Sequence, residues 1–382
     1  MFRRLAPAVA ALAVVAGFVA PSAGASPQMA VGIFDEAHTL YGNPEHSFPL
    51  LESLKVRVLR VGLYWGGRFG VARSKPFDGD DPADPAYHWG SYDRTVRYAS
   101  EHGIKVLFSI YGTPGWANGE AGLNRKPKDV GDLRRFAFAA ATRYSGTYPG
   151  ADGRPLPAVR HWLAWNEPNN PVYLSPQYAR KGGKWVIRSA EDYARICEAV
   201  HVGVHGTLLK GQKVACGATG PRGNNSPTSP RPSVSPIAFL RGLHNAGLRG
   251  FDVYAHHPYY GSPAESPTTK PPGSRAPGST AVTLGNINVL IAELTRLYGK
   301  RRLWITEYGY QTNPPDRAFG VSWTRQAAYL AQAFSVARRN PRIDMMLWFM
   351  LQDEPVLGGW QSGLITASGQ RKPAFDAFRR LR

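Results

Sequence analysis

Long hydrophobic runs and cysteines are both scarce in this sequence. Beyond residue 25, no stretch approaches the roughly 18 unbroken apolar residues that a membrane span requires, so no span is predicted there. The 382 residues include two cysteines, Cys197 and Cys216, whose spacing fits no metal site. In an exported chain they permit one disulfide, if the helix predicted around Cys197 packs on the strand that holds Cys216. Two buried free thiols are the alternative.

Acidic residues are scarce as well. The sequence has 27 aspartates and glutamates against 46 lysines and arginines, which gives a formal net charge of +19. A surface this basic suits anionic partners such as acidic glycans or nucleic acid. The basic residues are scattered, however, and no dense run or nucleic-acid motif is present, so no nucleic-acid partner is expected.

The apolar run that does occur lies at the start of the chain. Arg3 and Arg4 precede it, and the small residues Ala-Gly-Ala follow it at 23–25. This pattern predicts a secretory signal peptide over residues 1–25. An uncleaved membrane anchor is the alternative. We therefore expect a secreted mature chain, residues 26–382, without a membrane span after cleavage.

Short apolar or β-branched runs alternate with helix-like stretches along the mature chain. The eight candidate strands lie at 30–34, 56–63, 104–111, 160–166, 213–218, 251–256, 302–307 and 344–350. Apolar residues recur three and four apart at 91–102, 131–145, 190–208, 237–247, 286–298, 323–338 and 373–381. Strands that alternate with helices pair in parallel, and eight such units predict an α/β fold, a closed (β/α)8 TIM barrel in a single domain. The alternative, an open doubly wound sheet, usually has a Gly-rich turn after its first strand, which "AVGIFDEAH" lacks.

Two long loops rich in Pro, Ser and Gly interrupt this alternation, at 221–236 and 261–280. In a barrel each would follow a strand and rise from the C-terminal face, which carries the active site in this fold. They are predicted to form walls or lids of a cleft, with disordered insertions as the alternative.

Two carboxylates follow apolar strands at matching positions. Glu167 ends the fourth strand in "HWLAWNEPNN", and Glu307 ends the seventh in "RRLWITEYGY". Strands four and seven lie nearly opposite each other around a barrel of eight, so both side chains reach into its mouth. Hydrolysis of a glycosidic bond requires such a pair, one carboxyl that donates a proton and one that attacks the anomeric carbon. Unequal surroundings would push their pKa values apart. A structural ion pair at each strand end is the alternative.

The motifs around both carboxylates resemble those of a known group of enzymes. "WNEPN" at 165–169 and "ITEYGY" at 305–310 are similar to the retaining β-glycosidases of clan A, the 4/7 superfamily, and the resemblance covers essentially the whole mature chain. Families 39 and 5 are the two most similar. The resemblance implies that Glu167 is the acid/base, Glu307 the nucleophile and Asn166 a partner of the sugar 2-hydroxyl.

The same resemblance implies supporting residues on other strands. Arg60, in "VRVLRVGLYW", matches an arginine beside the nucleophile, and "FDVYAHHPYY" fits a pattern at Asp252, His257 and Tyr259. Arg60 and Tyr259 would hold Glu307 ionised, and His257 would bind substrate or join that network. Because side chains alternate along a strand, only one of His256 and His257 points inward, and we choose His257.

Aromatic and charged residues elsewhere are further candidates. The resemblance also implies that Trp116 and Trp348 stack on sugar rings, although large aromatics are more often core residues. Asp35 and His38 follow the first strand and are candidates to line the cleft. A basic group follows the fourth strand and would bind an anionic sugar if it faced the cleft: Arg180, Lys181, Lys184 and Arg188.

These observations together predict a secreted, monomeric retaining glycoside hydrolase that acts on a polysaccharide or oligosaccharide, with an anionic glycan among the candidate substrates. No metal or organic cofactor is expected. The alternatives are a transglycosylase with the same residues, a carbohydrate-binding barrel without activity, and a basic adhesion protein.

Overall fold

The computed structural model describes residue 26, residues 28–273 and residues 280–381. The predicted signal peptide lies outside these residues. Among those that are described, no helix is long and apolar enough to cross a membrane.

Eight parallel strands close into a barrel, which confirms the predicted (β/α)8 fold. The barrel strands are β1 (Ala30–Phe34), β2 (Val58–Tyr64), β3 (Lys105–Tyr111), β4 (His161–Ala164), β7 (Lys213–Thr219), β8 (Val253–His256), β9 (Arg302–Ile305) and β10 (Ile343–Phe349). Their order around the barrel is β1-β10-β9-β8-β7-β4-β3-β2, and β1 pairs with both β2 and β10. A small antiparallel hairpin, β5 (Ala179–Lys181) and β6 (Lys184–Val186), follows β4 and was not predicted.

Helices occupy the predicted stretches between the strands. The helices are α1 (Glu36–Thr39), α2 (Pro44–Ser53), α3 (Gly90–Glu101), α4 (Gly115–Asn118), α5 (Val130–Arg143), α6 (Arg188–His205), α7 (Pro236–Asn245), α8 (Ile287–Tyr298), α9 (Trp323–Arg338) and α10 (Pro373–Arg379). The sequence did not predict α2, which connects β1 to β2, because Pro49 lies inside it and proline usually breaks a helix. Asn43 caps this helix and Pro44 occupies its first position, where a missing N–H is harmless.

The lower part of the barrel interior is apolar. Inward side chains from seven strands pack together there: Val58, Leu107, Leu163, Ala215, Val253, Trp304 and Met345. Along β2, the alternation that points Val58 into this core also points Arg60 and Gly62 inward, nearer the C-terminal end. The fold therefore fills the base of the barrel with hydrocarbon and leaves the polar inward side chains at its mouth.

Cys197 on α6 and Cys216 on β7 form a disulfide, which decides between the two alternatives that the sequence left open. The bond ties a helix to the barrel strand that follows it in the chain. Both residues are fully buried.

The two long loops form ordered structure at the mouth wherever they are described. Asn169 donates hydrogen bonds to the carbonyl oxygens of Gly220 and Val234, so the residue after the "WNEP" motif anchors both ends of the 221–236 loop. Arg222 in this loop pairs with Glu265 in the other at 3.3 Å. Residues 274–279 of the second loop lie outside the described part of the chain.

Candidate active site

A cavity of about 460 Å³ opens at the C-terminal ends of the strands. Its aromatic walls come from strand ends and loops: Phe34, Tyr64, Tyr111, Tyr173, Tyr259, Tyr260, Phe319, Phe349 and Trp360. Its polar lining comprises Glu36, Arg60, Ser109, Asn166, Glu167, Glu307, Gln311 and Ser362. Aromatic faces combined with a few converging polar groups are typical of a ligand pocket.

Glu307 lines this cavity and is 8% exposed. Arg60 Nη1 donates to its Oε1 at 2.5 Å, and the Tyr259 hydroxyl donates to its Oε2 at 3.2 Å. Burial raises the pKa of the Glu307 carboxyl, but the neighbouring His257, the Arg60 charge and these two hydrogen bonds outweigh burial and hold the pKa below its ordinary value. The site thus keeps Glu307 ionised.

Arg60 connects this carboxylate to a second site residue. It is 1% exposed, and its Nε donates to Ser109 Oγ at 2.8 Å while its Nη2 donates to Asn166 Oδ1 at 2.8 Å. Since the Asn166 oxygen accepts from Arg60, its amide nitrogen is left to donate into the cavity, which Asn166 lines. Arg60 therefore orients both Glu307 and Asn166.

Glu167 reaches the cavity through an irregular end of β4. Trp165 and Glu167 both have positive φ, 67° and 35°, a conformation that non-glycine residues rarely adopt. The Glu167 N–H donates to Ala218 O at 2.9 Å, which fixes this turn against β7. A Cβ at Gly220 would lie 3.0 Å from the Glu167 carboxylate, so the glycine makes room for it. Such local strain is common where a functional side chain must be aimed.

His257 lies between the two glutamates. Its Nδ1 is 3.0 Å from Glu167 Oε1 and 3.6 Å from Glu307 Oε1, and its Nε2 is 2.9 Å from Thr306 Oγ1. One carboxylate oxygen of each glutamate and one ring nitrogen of His257 all lie within 4.8 Å of one another. A metal ion fits poorly between them, because the Arg60 guanidinium already neutralises Glu307 and would repel a second cation.

The neighbouring His256 faces away from the cavity, as strand alternation predicts. Its ring contacts Thr219 Oγ1 at 2.8 Å and Val282 O at 3.0 Å. Burial lowers its pKa to about 3, so the imidazole is neutral. Six sequence-predicted residues are thus brought together, Asn166, Glu167, Arg60, His257, Tyr259 and Glu307, while their roles in a reaction stay predictions.

Both tryptophans that were expected to stack on sugars lie elsewhere. Trp348 is 0% exposed, and its Nε1 donates to Ser362 O at 2.9 Å. Alternation along β10 turns Trp348 outward and Phe349 into the cavity. The residue that lines the cavity is therefore the one after the predicted tryptophan. Trp116 packs edge-on against Trp65 and donates to Ala72 O, outside the cavity. The aromatic surface of the pocket comes from other residues.

Three further candidates near strand ends also lie outside the site. Asp35 caps α1 and accepts hydrogen bonds from the backbone N–H groups of Leu351 and Gln352, and His38 pairs with Asp35. Asp252 precedes β8 at the opposite, N-terminal end of the barrel, because the strand begins at Val253. The pattern at Asp252 therefore matched the strand but not the site.

None of the four basic residues after β4 lines the cavity. Arg180 stacks over Trp185 in the hairpin, with its guanidinium carbon 4.8 Å from the ring centroid. Lys181 is 3.8 Å from Glu191, and Arg188 pairs with Asp192 at 2.9 Å. Lys184 is exposed on the hairpin. They contribute to a solvated basic surface.

Glu36 is a cavity residue that sequence reasoning missed. It follows Asp35, which was the candidate, by one position, and helix α1 begins at Glu36 and turns its side chain toward β2. Glu36 lies far along the chain from Glu167 and Glu307, and no sequence motif links it to them. Tyr173, Tyr260 and Trp360 were missed because they come from loops, whose course the sequence pattern does not predict.

Comparison with known proteins finds one family model that matches part of the sequence and several solved structures of similar fold. The family model described as "Family of unknown function (DUF5722)" matches residues 243–382, a segment that contains Glu307, His257 and Tyr259 but not Glu167. No curated protein matches the sequence.

Solved structures resemble nearly the whole chain. A family 39 glycoside hydrolase from Bacteroides cellulosilyticus WH2 is 19% identical with a TM-score of 0.63, over 92% of this chain and 63% of that one. A glucosidase from Croceicoccus marinus is 15% identical with a TM-score of 0.66, over 93% of this chain and 67% of that one. A monomeric β-xylosidase from Caulobacter crescentus CB15 is 17% identical with a TM-score of 0.57, over 92% and 67%. This chain therefore spans about two thirds of the length of these enzymes.

Proposed function

We propose that the protein is a glycosidase that hydrolyses O-glycosidic bonds with retention of anomeric configuration. The observation that carries the proposal is the pair of glutamates at the ends of β4 and β9, with oxygens within 4.8 Å and unequal partners. Carboxyl groups about 5–5.5 Å apart are typical of retaining enzymes, whereas inverting enzymes need about 6.5–9.5 Å to fit a water molecule. The fold shared with glycosidases supports the same reading.

In the first step, Glu307 is the nucleophile. Its ionised carboxylate, held by Arg60 and Tyr259, attacks the anomeric carbon as the glycosidic C–O bond breaks. The electron pair of that bond moves to the leaving oxygen, which takes a proton from Glu167. The product is a covalent glycosyl-enzyme with Glu307. The amide of Asn166 donates to the sugar 2-hydroxyl, an interaction that strengthens in the transition state.

In the second step, Glu167 is the base. It takes a proton from a water molecule, whose oxygen attacks the anomeric carbon while the bond to Glu307 breaks and regenerates the carboxylate. His257 Nδ1, 3.0 Å from Glu167, is close enough to position this carboxyl through both steps. The net result is hydrolysis with retention.

Alanine variants assayed with azide test this assignment. Glu307→Ala should abolish hydrolysis, and azide bound in the vacated space should yield a glycosyl azide of opposite anomeric configuration. Glu167→Ala should slow substrates with poor leaving groups by roughly 10²–10⁴-fold but spare dinitrophenyl glycosides, which need no proton. With azide it should yield a product of the same configuration as the substrate. Full activity in either variant on a glycan would contradict the assignment.

The proposal includes export of the protein. The charged, apolar and small-residue segments of residues 1–25 support a cleaved signal peptide, and the Cys197–Cys216 disulfide suits an oxidising compartment. Mass spectrometry of protein collected from culture medium should find an N-terminus at Ser26. Protein found only inside cells with residues 1–25 intact would contradict export.

A further inference from the structure

A third carboxylate, Glu36, lines the same cavity as Glu167 and Glu307. It belongs to the first turn of α1, and its side chain crosses to β2. Gly62 N–H donates to Oε1 at 2.5 Å, and the Tyr64 hydroxyl donates to Oε2 at 2.9 Å. A Cβ at position 62 would lie 2.2 Å from Oε1, so β2 approaches Glu36 closely only because residue 62 is glycine. The fold thus fixes this carboxylate from one side.

Glu36 retains capacity to bind a ligand. A carboxylate offers about four lone-pair sites, and two hydrogen bonds leave two of them. Sugar hydroxyl groups are the donors that fit such acceptors in a glycosidase pocket. Above about pH 7, where Glu36 is ionised, a hydrogen bond to this charged acceptor contributes more than one to a neutral acceptor, about 1.5–3 kcal/mol.

Arg60 is the cation among the described residues that line the cavity. Its charge is already paired with Glu307, and four of its five N–H donors are occupied. They bind Glu307, Thr306 O, Ser109 and Asn166. The carboxylate of a uronic acid would therefore meet Glu36 and Glu307 without a partner for its own charge, and burial of an unpaired charge is unfavourable.

We propose that Glu36 selects an uncharged sugar, since it accepts hydrogen bonds from sugar hydroxyl groups and repels a carboxylate in their place. This inference rests on the proposed glycosidase function and names its substrate class, a neutral glycoside. The basic surface of the chain suggested an anionic glycan as substrate. The pocket favours a neutral one, because its carboxylates are negative although the chain as a whole is positive.

Paired substrates test the proposal. We would compare the 4-nitrophenyl β-glucoside with the β-glucuronide and the β-galactoside with the β-galacturonide, since each pair differs in one carboxylate, and add the neutral β-xyloside. At about pH 8, where Glu36 is ionised, the wild type should turn over its best neutral glycoside at least 100-fold faster than any uronide. Glu36→Gln should lower kcat/KM on that glycoside about tenfold to 100-fold and narrow the gap to the uronide. Glu198→Gln, the same change at a residue 59% exposed on the outer face of α6, should alter neither.

Binding separates this inference from the proposed function. Calorimetry with Glu307→Gln, which cannot form the glycosyl-enzyme, measures affinity for the same glycosides without turnover. Neutral sugars that bind but are never hydrolysed by the wild type would contradict hydrolysis and leave the role of Glu36 supported. A uronide that is bound or hydrolysed as well as the best neutral glycoside, or a panel in which no neutral glycoside is bound or hydrolysed, would overturn the role of Glu36.

A second inference rests on a different part of the molecule. His201 and His205 lie one turn apart on α6, with ring centroids 4.5 Å apart, and both face Asp252 ahead of β8. His205 Nε2 is 2.8 Å and His201 Nε2 is 3.8 Å from Asp252 Oδ2. The Val214 N–H donates to the same oxygen at 2.7 Å and holds the carboxylate in place.

We infer that these three residues bind a divalent transition metal ion such as Zn²⁺. One ligand atom from each lies within 4.8 Å of the others, and two imidazoles with one carboxylate form a donor set typical of zinc. All three side chains are partly exposed, so water can complete the coordination. The ion would join α6 to the base of β8, as the disulfide joins α6 to β7.

Titration with zinc chloride tests this site without reference to activity. Calorimetry on the wild type should give one site with a micromolar Kd, and zinc should raise the Tm. His205→Ala and His201→Ala should each weaken binding at least tenfold, while His46→Ala, at an exposed histidine of α2, should leave it unchanged. Zinc binding of equal affinity in the wild type and both α6 variants would overturn the inference.

Discussion

The mouth and the base of the barrel are built on opposite principles. At the base, inward side chains are apolar and a disulfide ties a helix to a strand. At the mouth, Arg60 and Glu307 are buried together, and Trp165, Glu167 and Met350 have positive φ at strand ends. Buried charges and strained backbone destabilise a fold unless surrounding structure supports them. The stability of the base therefore offsets the cost of holding reactive groups in place at the mouth.

The largest expected effect follows from removing the buried cation of the mouth. Arg60→Met should lower kcat/KM about 10³-fold, about 4 kcal/mol, because Glu307 loses its charge partner and Asn166 its orientation. Without Arg60 the pKa of Glu307 rises, so the acidic limb of the kcat/KM profile should move to higher pH. Steady-state kinetics across pH measures both effects.

The matched control lies at the base. Arg302, which begins β9, is 42% exposed and pairs with Asp344. Arg302→Met makes the same change in an exposed ion pair, whose contribution is typically at most about 1 kcal/mol. It should leave kcat/KM and the pH profile unchanged. An acidic limb that stays in place in Arg60→Met would mean that Arg60 does not set the ionisation of Glu307.

Removal of the disulfide should destabilise the base and leave the mouth intact. Replacing both Cys197 and Cys216 by alanine removes a cross-link that closes a loop of 19 residues. The loop-closure estimate for this length is about 3 kcal/mol of unfolding free energy. Urea denaturation should show that loss, while kcat/KM of the folded protein stays within about twofold, because neither cysteine touches the cavity. A large loss of kcat/KM in fully folded protein would contradict the division between the two ends.

The base was easier to predict from the sequence than the mouth, for a physical reason. Regular strands and helices repeat with fixed periods, so apolar runs such as 104–111 and 213–218 indicate eight units and their order. Glu167 and Glu307 could be found for the same reason, since each directly follows such a run. His257 was chosen correctly over His256 as the inward residue because alternation still holds at the end of β8.

The failures lie where periodicity ends. Phe349 faces the cavity, whereas the resemblance to clan A glycosidases had implied its neighbour Trp348. Glu36 turns into the mouth because a short helix starts there, and Trp360 comes from the loop after β10. These positions depend on loop conformation, which is set by tertiary contacts such as those of Asp35 with Leu351 and Gln352.

The mouth and the base should contribute to the stability of the fold with opposite dependence on pH. Burial, with a smaller contribution from the Glu307 charge, raises the pKa of Glu36 to about 7, although hydrogen bonds from Tyr64 and Gly62 and the Arg60 charge lower it. The charged and titratable groups that face Glu36 are Tyr41, Tyr64, Tyr92, Arg60 and Glu307. Because the folded state holds this proton more tightly, the stability it contributes is present below pH 4.5 and is lost as pH rises to about 7.

Glu36→Gln should remove the loss of unfolding free energy that accompanies ionisation of Glu36. Discounted for partial exposure, the effect is about 2 kcal/mol between pH 4.5 and 8. At the base, contacts with His201, His205 and the Val214 N–H outweigh burial and lower the pKa of Asp252, so its contribution has the opposite sign and is lost as pH falls. At neutral pH, Asp252→Asn should therefore lower the free energy of unfolding, whereas Glu36→Gln should raise it. Urea denaturation at several pH values measures both, and parallel curves for the two variants would contradict the assignment.

The smallest expected effect concerns one hydrogen bond of the mouth. Tyr259→Phe removes the hydroxyl that donates to Glu307 Oε2 but keeps the ring, so kcat/KM should fall about tenfold, about 1.4 kcal/mol. Tyr98→Phe removes an equivalent tyrosine–glutamate hydrogen bond, to Glu45, on the outer helices. It should leave kcat/KM unchanged, because that pair is exposed and far from any reacting group. If the two variants lost activity equally, the hydroxyl of Tyr259 would act through general packing, and the distinction between a mouth that positions Glu307 and an exterior that only supports the fold would fail at this residue.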